Sequence, residues 1–261
     1  MLTAYRGVKL RALEYIGNIY SPLRGAIYLK EKELAVANIV AEYLTGEGGS
    51  DWDLLDLIDL SKKDSLTYKL VNLINASSEQ KIHSEIGTNI ISDVSQFYDS
   101  SAYFNSLSKK LRQTIRTGLN RAHKTSNLSI SLTESSGENI DLFMDHYYEV
   151  YNNSWKVQEE DSTFHRNLAK YLASQGKLRI FMLYSDGEPE PDAPPLAWDS
   201  AITLKGPVIG SIPVAAIFMV AHKGTAYYLK TSYKESFAKL SVGMILFWHA
   251  VKYLIDVDNI K

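Results

Sequence analysis

The spacing of apolar residues in the first hundred positions predicts an α/β arrangement. Residues 8–15 alternate as a strand does, and residues 31–44 carry apolar side chains at helical spacing before a glycine-rich stop. Residues 52–60 form a short apolar run that we interpret as a second strand. A second helix and a third strand are indicated by Leu66, Leu70, Leu73 and Ile74, and then by Ile82, Ser84 and Ile86. Alternating strands and helices are typical of α/β units.

The pattern restarts at Asn105 with an amphipathic helix. Apolar residues at helical spacing then indicate another helix over 140–155, and a third begins at a Ser162 cap and stops at Gly176. Residues 178–184 switch to a period of two, which predicts a strand. The two patterns place the domain boundary between residues 101 and 102, giving domains 1–101 and 102–261.

Most of the prolines lie within residues 186–210, a stretch with little periodicity, which predicts a surface insertion. Residues 212–221 form an almost continuous apolar strand, as expected where both sheet faces are covered. A turn at Lys223-Gly224 predicts a hairpin with residues 226–230. A final helix begins at Ser241.

Composition narrows the classes of function. The 28 basic and 30 acidic residues give a net charge of −2, so the chain as a whole does not attract nucleic acid or anionic lipid. The absence of cysteine excludes a thiolate nucleophile and a cysteine-ligated metal. The longest apolar run, 214–221, falls well short of the roughly 20 residues of a membrane helix. We expect a cytoplasmic protein with no membrane span, no DNA partner and no metal.

The segment Ser241-Val242-Gly243 opens the last helix. Backbone N–H groups at such a start, together with the helix dipole, attract phosphate or pyrophosphate. The alternative is a capping serine beside a packing glycine. The spacing alone is compatible with both.

Four segments taken together resemble the GNAT acyltransferase superfamily, specifically its CelD-like branch, which is related to the FemAB aminoacyl transferases. Each motif is weak alone, and their order and spacing carry the resemblance over about residues 104 to 255. At 241–243 the family usually has Ser-Pro-Gly or similar. The segments are 104–116 (Phe-Asn-Ser-Leu-Ser-Lys-Lys-Leu-Arg through Ile-Arg), 153–156 (Asn-Ser-Trp-Lys), 226–233 (Ala-Tyr-Tyr-Leu-Lys-Thr-Ser-Tyr) and 239–243 (Lys-Leu-Ser-Val-Gly).

The resemblance implies an α/β fold with a GNAT-like mixed sheet flanked by helices. It further implies a bacterial protein with two such repeats in tandem, of which residues 10–17 and Trp52-Asp53 look like the later part of the first. Residues 102–261 would be the second repeat. Relative to the family pattern, both ends look shortened.

The resemblance also implies the chemistry: an acyl-CoA-dependent N- or O-acyltransferase of polysaccharide biosynthesis. An amine or hydroxyl of a sugar or glycan precursor would attack the thioester directly, with acetyl-CoA or another acyl-CoA as co-substrate. The backbone of two segments would bind that co-substrate, a strand and a loop: Val214, Ala215 and Ala216, and Ser241, Val242, Gly243 and Met244.

The candidate catalytic residues are Tyr228, Lys230 and Tyr233. Strand alternation places Tyr228 and Lys230 on one face, from which a tyrosine hydroxyl would protonate the leaving thiolate. The alternative is a structural tyrosine whose ring packs in the protein and whose hydroxyl alone contacts water. We also considered His146 and Glu149 as bases, with a structural histidine as the alternative.

The candidate substrate-binding residues are Arg112, Arg116, Trp155 and Lys156. The first two belong to a stretch, 100–133, without acidic residues; it is either a solvated face or an anion site for CoA phosphates, a glycan carrier or tRNA. Trp155 is either a platform for a sugar ring or a core residue. Two other functions stay open: a FemAB-like transferase using charged tRNA, and a degenerate, non-catalytic GNAT-like binding module.

Overall fold

The computed structural model describes residues 2–5, 7–16, 24–57, 65–77, 90–125, 127–134, 139–159, 161–186, 196–202 and 204–261. The chain divides into two compact units, residues 1–90 and 91–261. The division falls earlier than the sequence pattern suggests, because the helix that begins at Ser100 is tied to the end of the last helix. The Ser100 amide and hydroxyl both donate to the Asp256 carboxylate, at 2.8 and 2.7 Å.

The first unit combines a three-stranded sheet with two helices. Strands β1 (Leu2–Tyr5) and β2 (Val8–Glu14) are antiparallel, and β3 (Leu54–Asp56) pairs in parallel with β2. Helices α1 (Glu33–Thr45) and α2 (Ser65–Ser77) pack through a small core that includes Leu44, Leu70 and Ile74.

Both helices and strand β2 of the first unit were predicted by periodicity. Strand β1 was missed, and β3 is only three residues long where the apolar run suggested 52–60. The strand suggested by Ile82, Ser84 and Ile86 lies outside the described residues.

The second unit has five helices and five strands in the part of the chain described. The helices are α3 (Ser100–Ser106), α4 (Lys109–His123), α5 (Ile140–Asn152), α6 (Ser162–Ser174) and α7 (Val242–Asp256). The strands are β4 (Leu128–Thr133), β5 (Leu178–Ser185), β6 (Leu204–Lys205), β7 (Ile212–His222) and β8 (Thr225–Tyr233).

The sheet of the second unit has the strand order β6-β4-β5-β7-β8 and is mixed, because β6 is parallel to β4 and the other pairs are antiparallel. Its two faces bury different cores. Helices α3, α4 and α7 cover one face, on which Ile217 lies, and α5 and α6 cover the other, on which Phe218 lies. This double coverage accounts for the continuous apolar run of β7.

The proline-rich stretch is not simply a surface insertion, as its lack of periodicity suggested. The Trp198 ring stacks on Phe104 with ring centroids 4.6 Å apart, and the Trp198 carbonyl accepts a 2.5 Å hydrogen bond from the Trp248 indole. Leu204 and Lys205 then add strand β6 to the sheet. Hydrophobic periodicity does not reveal such contacts, because single anchoring residues carry them.

The hairpin β7–β8 contains an irregularity that matters for the site. Lys223-Gly224 forms the predicted turn, but the pairing shifts between Phe218, opposite Lys230, and Met219, opposite Tyr228. Leu229 is therefore the extra residue of a β-bulge, which changes the face on which neighbouring side chains lie.

A 3₁₀ helix, Glu235–Leu240, connects β8 to α7. Ser241, between the 3₁₀ helix and α7, has a left-handed backbone conformation with φ 59°. Within the described ranges, no helix is both long enough and apolar enough to cross a lipid bilayer.

Candidate functional site

A groove of about 300 Å³ lies where α4 passes the start of α7. Its lining is polar and basic, and it includes two cations and three side-chain hydroxyls but no carboxylate. Most of its residues recur at helical spacing along α4, a polar stripe that the sequence shows and that we did not single out. They are Lys110, Gln113, Thr114, Thr117, Gly118, Arg121 and, from the start of α7, Ser241.

Gly118 allows α4 and α7 to approach closely at the floor of this groove. A β-carbon at Gly118 would lie 3.3 Å from Cβ of Ser241, which is tighter than an ordinary contact. Arg121 adds a second link, because its guanidinium donates a 2.6 Å hydrogen bond to the Lys239 carbonyl. The close packing of α4 on the start of α7 and this hydrogen bond therefore fix the shape of the groove.

Ser241 does not cap α7 through its side chain, so the capping interpretation is wrong. The Ser241 amide donates to the Ala238 carbonyl at 3.1 Å, and the Met244 amide donates to the Ser241 carbonyl at 3.0 Å. Val242 is fully buried. Among the described residues, neither the Val242 nor the Gly243 amide meets a backbone carbonyl, and Gly243 is the partly exposed residue of the two.

The absent side chain of Gly243 makes room for Tyr233 rather than for a ligand. A β-carbon at Gly243 would lie 3.1 Å from a ring carbon of Tyr233. The other neighbour of that ring is Trp155, with ring centroids 4.5 Å apart. Tyr233 thus packs between the start of α7 and the segment after α5, a positioning role rather than an exposed catalytic one.

The backbone of Val214, Ala215 and Ala216 does not suit the expected role in acyl-CoA binding. All three residues are fully buried, and β7 is an interior strand that pairs with both β5 and β8. The edge strands of the described sheet are β8 and the two-residue strand β6, and of these β8 is the one that adjoins β7.

Tyr228 and Lys230 lie on opposite faces of the sheet, contrary to the alternation rule, because the bulge at Leu229 intervenes. Tyr228 packs edge-on against Phe247 of α7, with ring centroids 5.7 Å apart. Lys230 lies 5.3 Å from the ring centroid of Tyr151 of α5. Burial raises the pKa of Tyr228 above the ordinary tyrosine value of about 10, at which the hydroxyl is already protonated at neutral pH.

Lys230 belongs to a buried polar cluster centred on Glu159. One oxygen of that carboxylate pairs with the Lys230 ammonium, and the other accepts from Tyr148 and contacts Nδ1 of His165, both at 2.9 Å. Burial lowers the pKa of His165. The neutral ring therefore donates its Nδ1 hydrogen to Glu159, and Lys230 is held as half of an ion pair rather than as a free base.

Trp155 and Lys156 lie beside this cluster, on the segment that follows α5. Trp155 is 51% exposed, so it is not a core residue. The Lys156 ammonium lies 5.8 Å from the ring centroids of both Trp155 and Tyr151. The structure thus brings together Lys230, Trp155 and Lys156 on one side of the sheet, whereas Tyr233, which contacts Trp155, packs against the same core as α7, on the side of Tyr228.

Arg112 and Arg116 lie outside the groove. Arg112 donates to the Asn105 carbonyl, and the Arg116 guanidinium lies 5.3 Å from the Phe104 ring centroid. Both make local contacts at the α3–α4 junction, which argues against the expected substrate role. The basic residues that line the groove are Lys110 and Arg121 instead.

The other candidate bases have partners. Nδ1 of His146 lies 3.0 Å from the Tyr184 hydroxyl, and Glu149 pairs with Lys234 at 2.5 Å. The described residues contain no group of three or more His, Asp or Glu side chains able to hold a metal ion.

A concavity of about 410 Å³ also occurs within the first unit, beside Arg11 and Trp52. Arg11 is engaged there, because it donates to both oxygens of Asp53, at 2.9 and 3.1 Å, and to the Ser50 carbonyl.

Comparison with known proteins identifies the second unit. Residues 109–190 and 193–260 match the family model described as an acetyltransferase (GNAT) domain, which is more than half of the chain. No curated protein matches the chain. The mixed sheet flanked by helices is consistent with a GNAT-like fold. The chain therefore belongs to the GNAT family of acetyltransferase domains.

Proposed function

We propose that the second unit is an acyl-CoA-dependent acyltransferase that binds the CoA phosphates in the groove between α4 and α7. The observation that carries the proposal is the grouping of Lys110, Arg121 and Ser241, the residue before α7, in the lining of that groove. Cations and a helix N-terminus together favour a phosphate. Tyr228 lies on the same side of the sheet, against α7.

The open edge of β8 supports the placement of the acyl arm. An edge strand presents unpaired N–H and C=O groups, and a bulge at Leu229 interrupts the regular ladder beside it. An acyl-CoA arm that runs along this edge would bring the thioester near Tyr228. Residues on the other face, Lys230 among them, would then meet the acceptor.

The chemistry would be direct acyl transfer. The amine or hydroxyl of the acceptor attacks the thioester carbonyl, a new C–N or C–O bond forms, and the C–S bond breaks. The Tyr228 hydroxyl donates a proton to the departing thiolate of CoA, and the proton that the attacking amine or hydroxyl loses is released to water, from which Tyr228 is reprotonated.

For the acceptor we propose a sugar or polysaccharide precursor, in line with the resemblance to the CelD-like branch. The exposed ring of Trp155 supports it, because an aromatic ring offers a flat apolar surface beside polar groups. The tRNA-dependent alternative depended on Arg112, Arg116 and Arg121. Arg112 and Arg116 contact the Asn105 carbonyl and the Phe104 ring outside the groove, and Arg121 is assigned here to the CoA phosphates, so we do not propose it.

Titration of the full chain with acetyl-CoA, followed by calorimetry, tests the proposal. We expect Lys110→Glu to weaken acetyl-CoA binding more than tenfold, which is about 1.4 kcal/mol. Lys109→Glu is the matched control: it makes the same charge change one residue away, on an exposed position outside the groove. Absence of acetyl-CoA binding at millimolar concentration, or equal effects of the two substitutions, would refute the assignment.

A further inference from the structure

Lys156 differs from the neighbouring lysines in having no carboxylate partner. In the described part of the chain, Lys230 pairs with Glu159, Lys234 with Glu149 and Lys170 with Asp141. The Lys156 ammonium contacts the faces of the Tyr151 and Trp155 rings and lies near enough to Lys230 to add to the effect of burial in lowering the pKa of that lysine. Among the described residues, no acidic side chain pairs with it.

The surroundings of Lys156 strengthen its attraction for an anion. The side chain is half-buried, and this burial lowers the Lys156 pKa without reversing its charge at neutral pH. Charge–charge attraction grows as water is excluded, so an anion that reaches this ammonium gains more than it would at a fully exposed lysine. The Ser154 hydroxyl, which accepts from the Lys156 amide at 3.4 Å, helps to set the backbone here.

Trp155 supplies a complementary apolar surface next to the same charge. Its ring packs against Tyr233 on one side, so it is fixed in place, and half of it is open to solvent. A fixed aromatic ring next to an uncompensated ammonium suits a ligand that has both a ring and an anionic group.

We propose that the acceptor of the acyl group is an anionic ring compound, whose carboxylate or phosphate pairs with Lys156 while its ring lies on Trp155. This inference rests on the proposed function, which places the acceptor on the side of the sheet where Lys156 and Trp155 lie. The charge and the ring contact make no use of the CoA groove, so binding of the acceptor alone tests them.

The experiment compares three probes, glucuronate, glucose 6-phosphate and glucose, by calorimetry on the full chain without acetyl-CoA. We expect at least one anionic sugar to bind about tenfold or more tightly than glucose. A preference for glucuronate identifies a carboxylate ligand, and a preference for glucose 6-phosphate identifies a phosphate. Lys156→Gln should abolish the preference, whereas Lys156→Arg should retain it.

Lys170→Gln is the matched control, since it removes a surface lysine that is already paired with Asp141. Thermal unfolding of each variant verifies that it folds. Equal binding of glucose and the anionic sugars, no binding of any probe at millimolar concentration, or a preference that survives Lys156→Gln would each overturn the inference. Failure of acetyl-CoA to bind would instead refute the proposed function, so the two failures are distinguishable.

Discussion

In the proposed function, the Tyr228 hydroxyl protonates the departing thiolate on the α7 side of β8. Burial raises its pKa, and its ring is held by Phe247. We expect Tyr228→Phe to lower kcat about a hundredfold, the usual size of a general-acid contribution, with little change in KM for acetyl-CoA. Steady-state kinetics with a thiol-release readout measures this. Tyr227→Phe, at the exposed neighbouring position, should leave kcat unchanged; equal losses in both variants would exclude the role of Tyr228.

Ser241 has a left-handed backbone without the side-chain hydrogen bond that a cap would make. A left-handed backbone at a residue other than glycine lowers the free energy of unfolding by about 1–2 kcal/mol. Glycine avoids this strain, but its more flexible unfolded chain lowers the free energy of unfolding by about 0.5–1 kcal/mol relative to alanine. We therefore expect Ser241→Gly to raise the free energy of unfolding by up to about 1 kcal/mol. Ser241→Ala should change it by less than about 0.5 kcal/mol, because no cap is lost. Urea unfolding distinguishes these values from the larger loss that a capping hydroxyl would give.

At the scale of elements, Glu159 connects the segment after α5 to α6 and β8. Its carboxylate is 5% exposed and pairs with Lys230, which is 24% exposed. Removing one partner of a buried pair leaves an uncompensated charge, so we expect Glu159→Gln to cost about 2–3 kcal/mol of unfolding free energy, the lower side of the range for buried pairs. In Glu149→Gln the lost carboxylate is 46% exposed, and the cost should be under about 1 kcal/mol. Similar costs in urea unfolding would show that burial of Glu159 is energetically unimportant.

The elements of the second unit could be predicted because their apolar spacing is regular. Helices α4, α5 and α6, strand β5 and the β7–β8 hairpin all lie where periodicity placed them. Alternation predicts that Tyr228 and Lys230 lie on the same face of β8, and the bulge places them on opposite faces. It could not be predicted, because a bulge depends on how β8 pairs with β7 and no residue type in this segment indicates it. The position of a strand in the sheet depends on the strand order, which the sequence does not show, so the resemblance pointed to the backbone of β7 although β7 lies in the interior of the sheet.

The groove shows a second limit of sequence reasoning. Lys110, Thr114, Thr117 and Arg121 are visible as one stripe of α4, but only the packing of Gly118 on Ser241 shows what faces that stripe. From the sequence alone, Arg112 and Arg116 are as good candidates as Lys110 and Arg121. In the structure their side chains contact Asn105 and Phe104, outside the groove. Tertiary contacts, some of them between neighbouring helices, thus decide which charges of a basic helix are available to a ligand.

At the scale of the whole molecule, two buried histidines make stability depend on pH. Burial lowers the pKa of both His165 and His249, so the folded protein keeps them neutral where the unfolded chain binds protons. Their contribution is present above the unfolded pKa, about 6.5, and is lost as pH falls toward the folded values. We expect the unfolding free energy to decrease between pH 7 and pH 5, and His165→Asn to reduce that slope. A slope unchanged in the variant, measured by urea unfolding, would contradict the role of His165.

The two units differ in the size of their cores, and this should separate their local stabilities. In the first unit α1 and α2 enclose a small cluster around Leu44, Leu70 and Ile74, whereas β5 and β7 run through the middle of a sheet that is covered on both faces. The free energy of local unfolding is larger in segments that have more buried apolar contacts. We therefore expect hydrogen exchange, measured by mass spectrometry, to be faster by at least about tenfold in α1 and α2 than in β5 and β7. Leu70→Ala should accelerate exchange in the first unit, with β5 and β7 unchanged, and parallel acceleration in both units would show that they open as one.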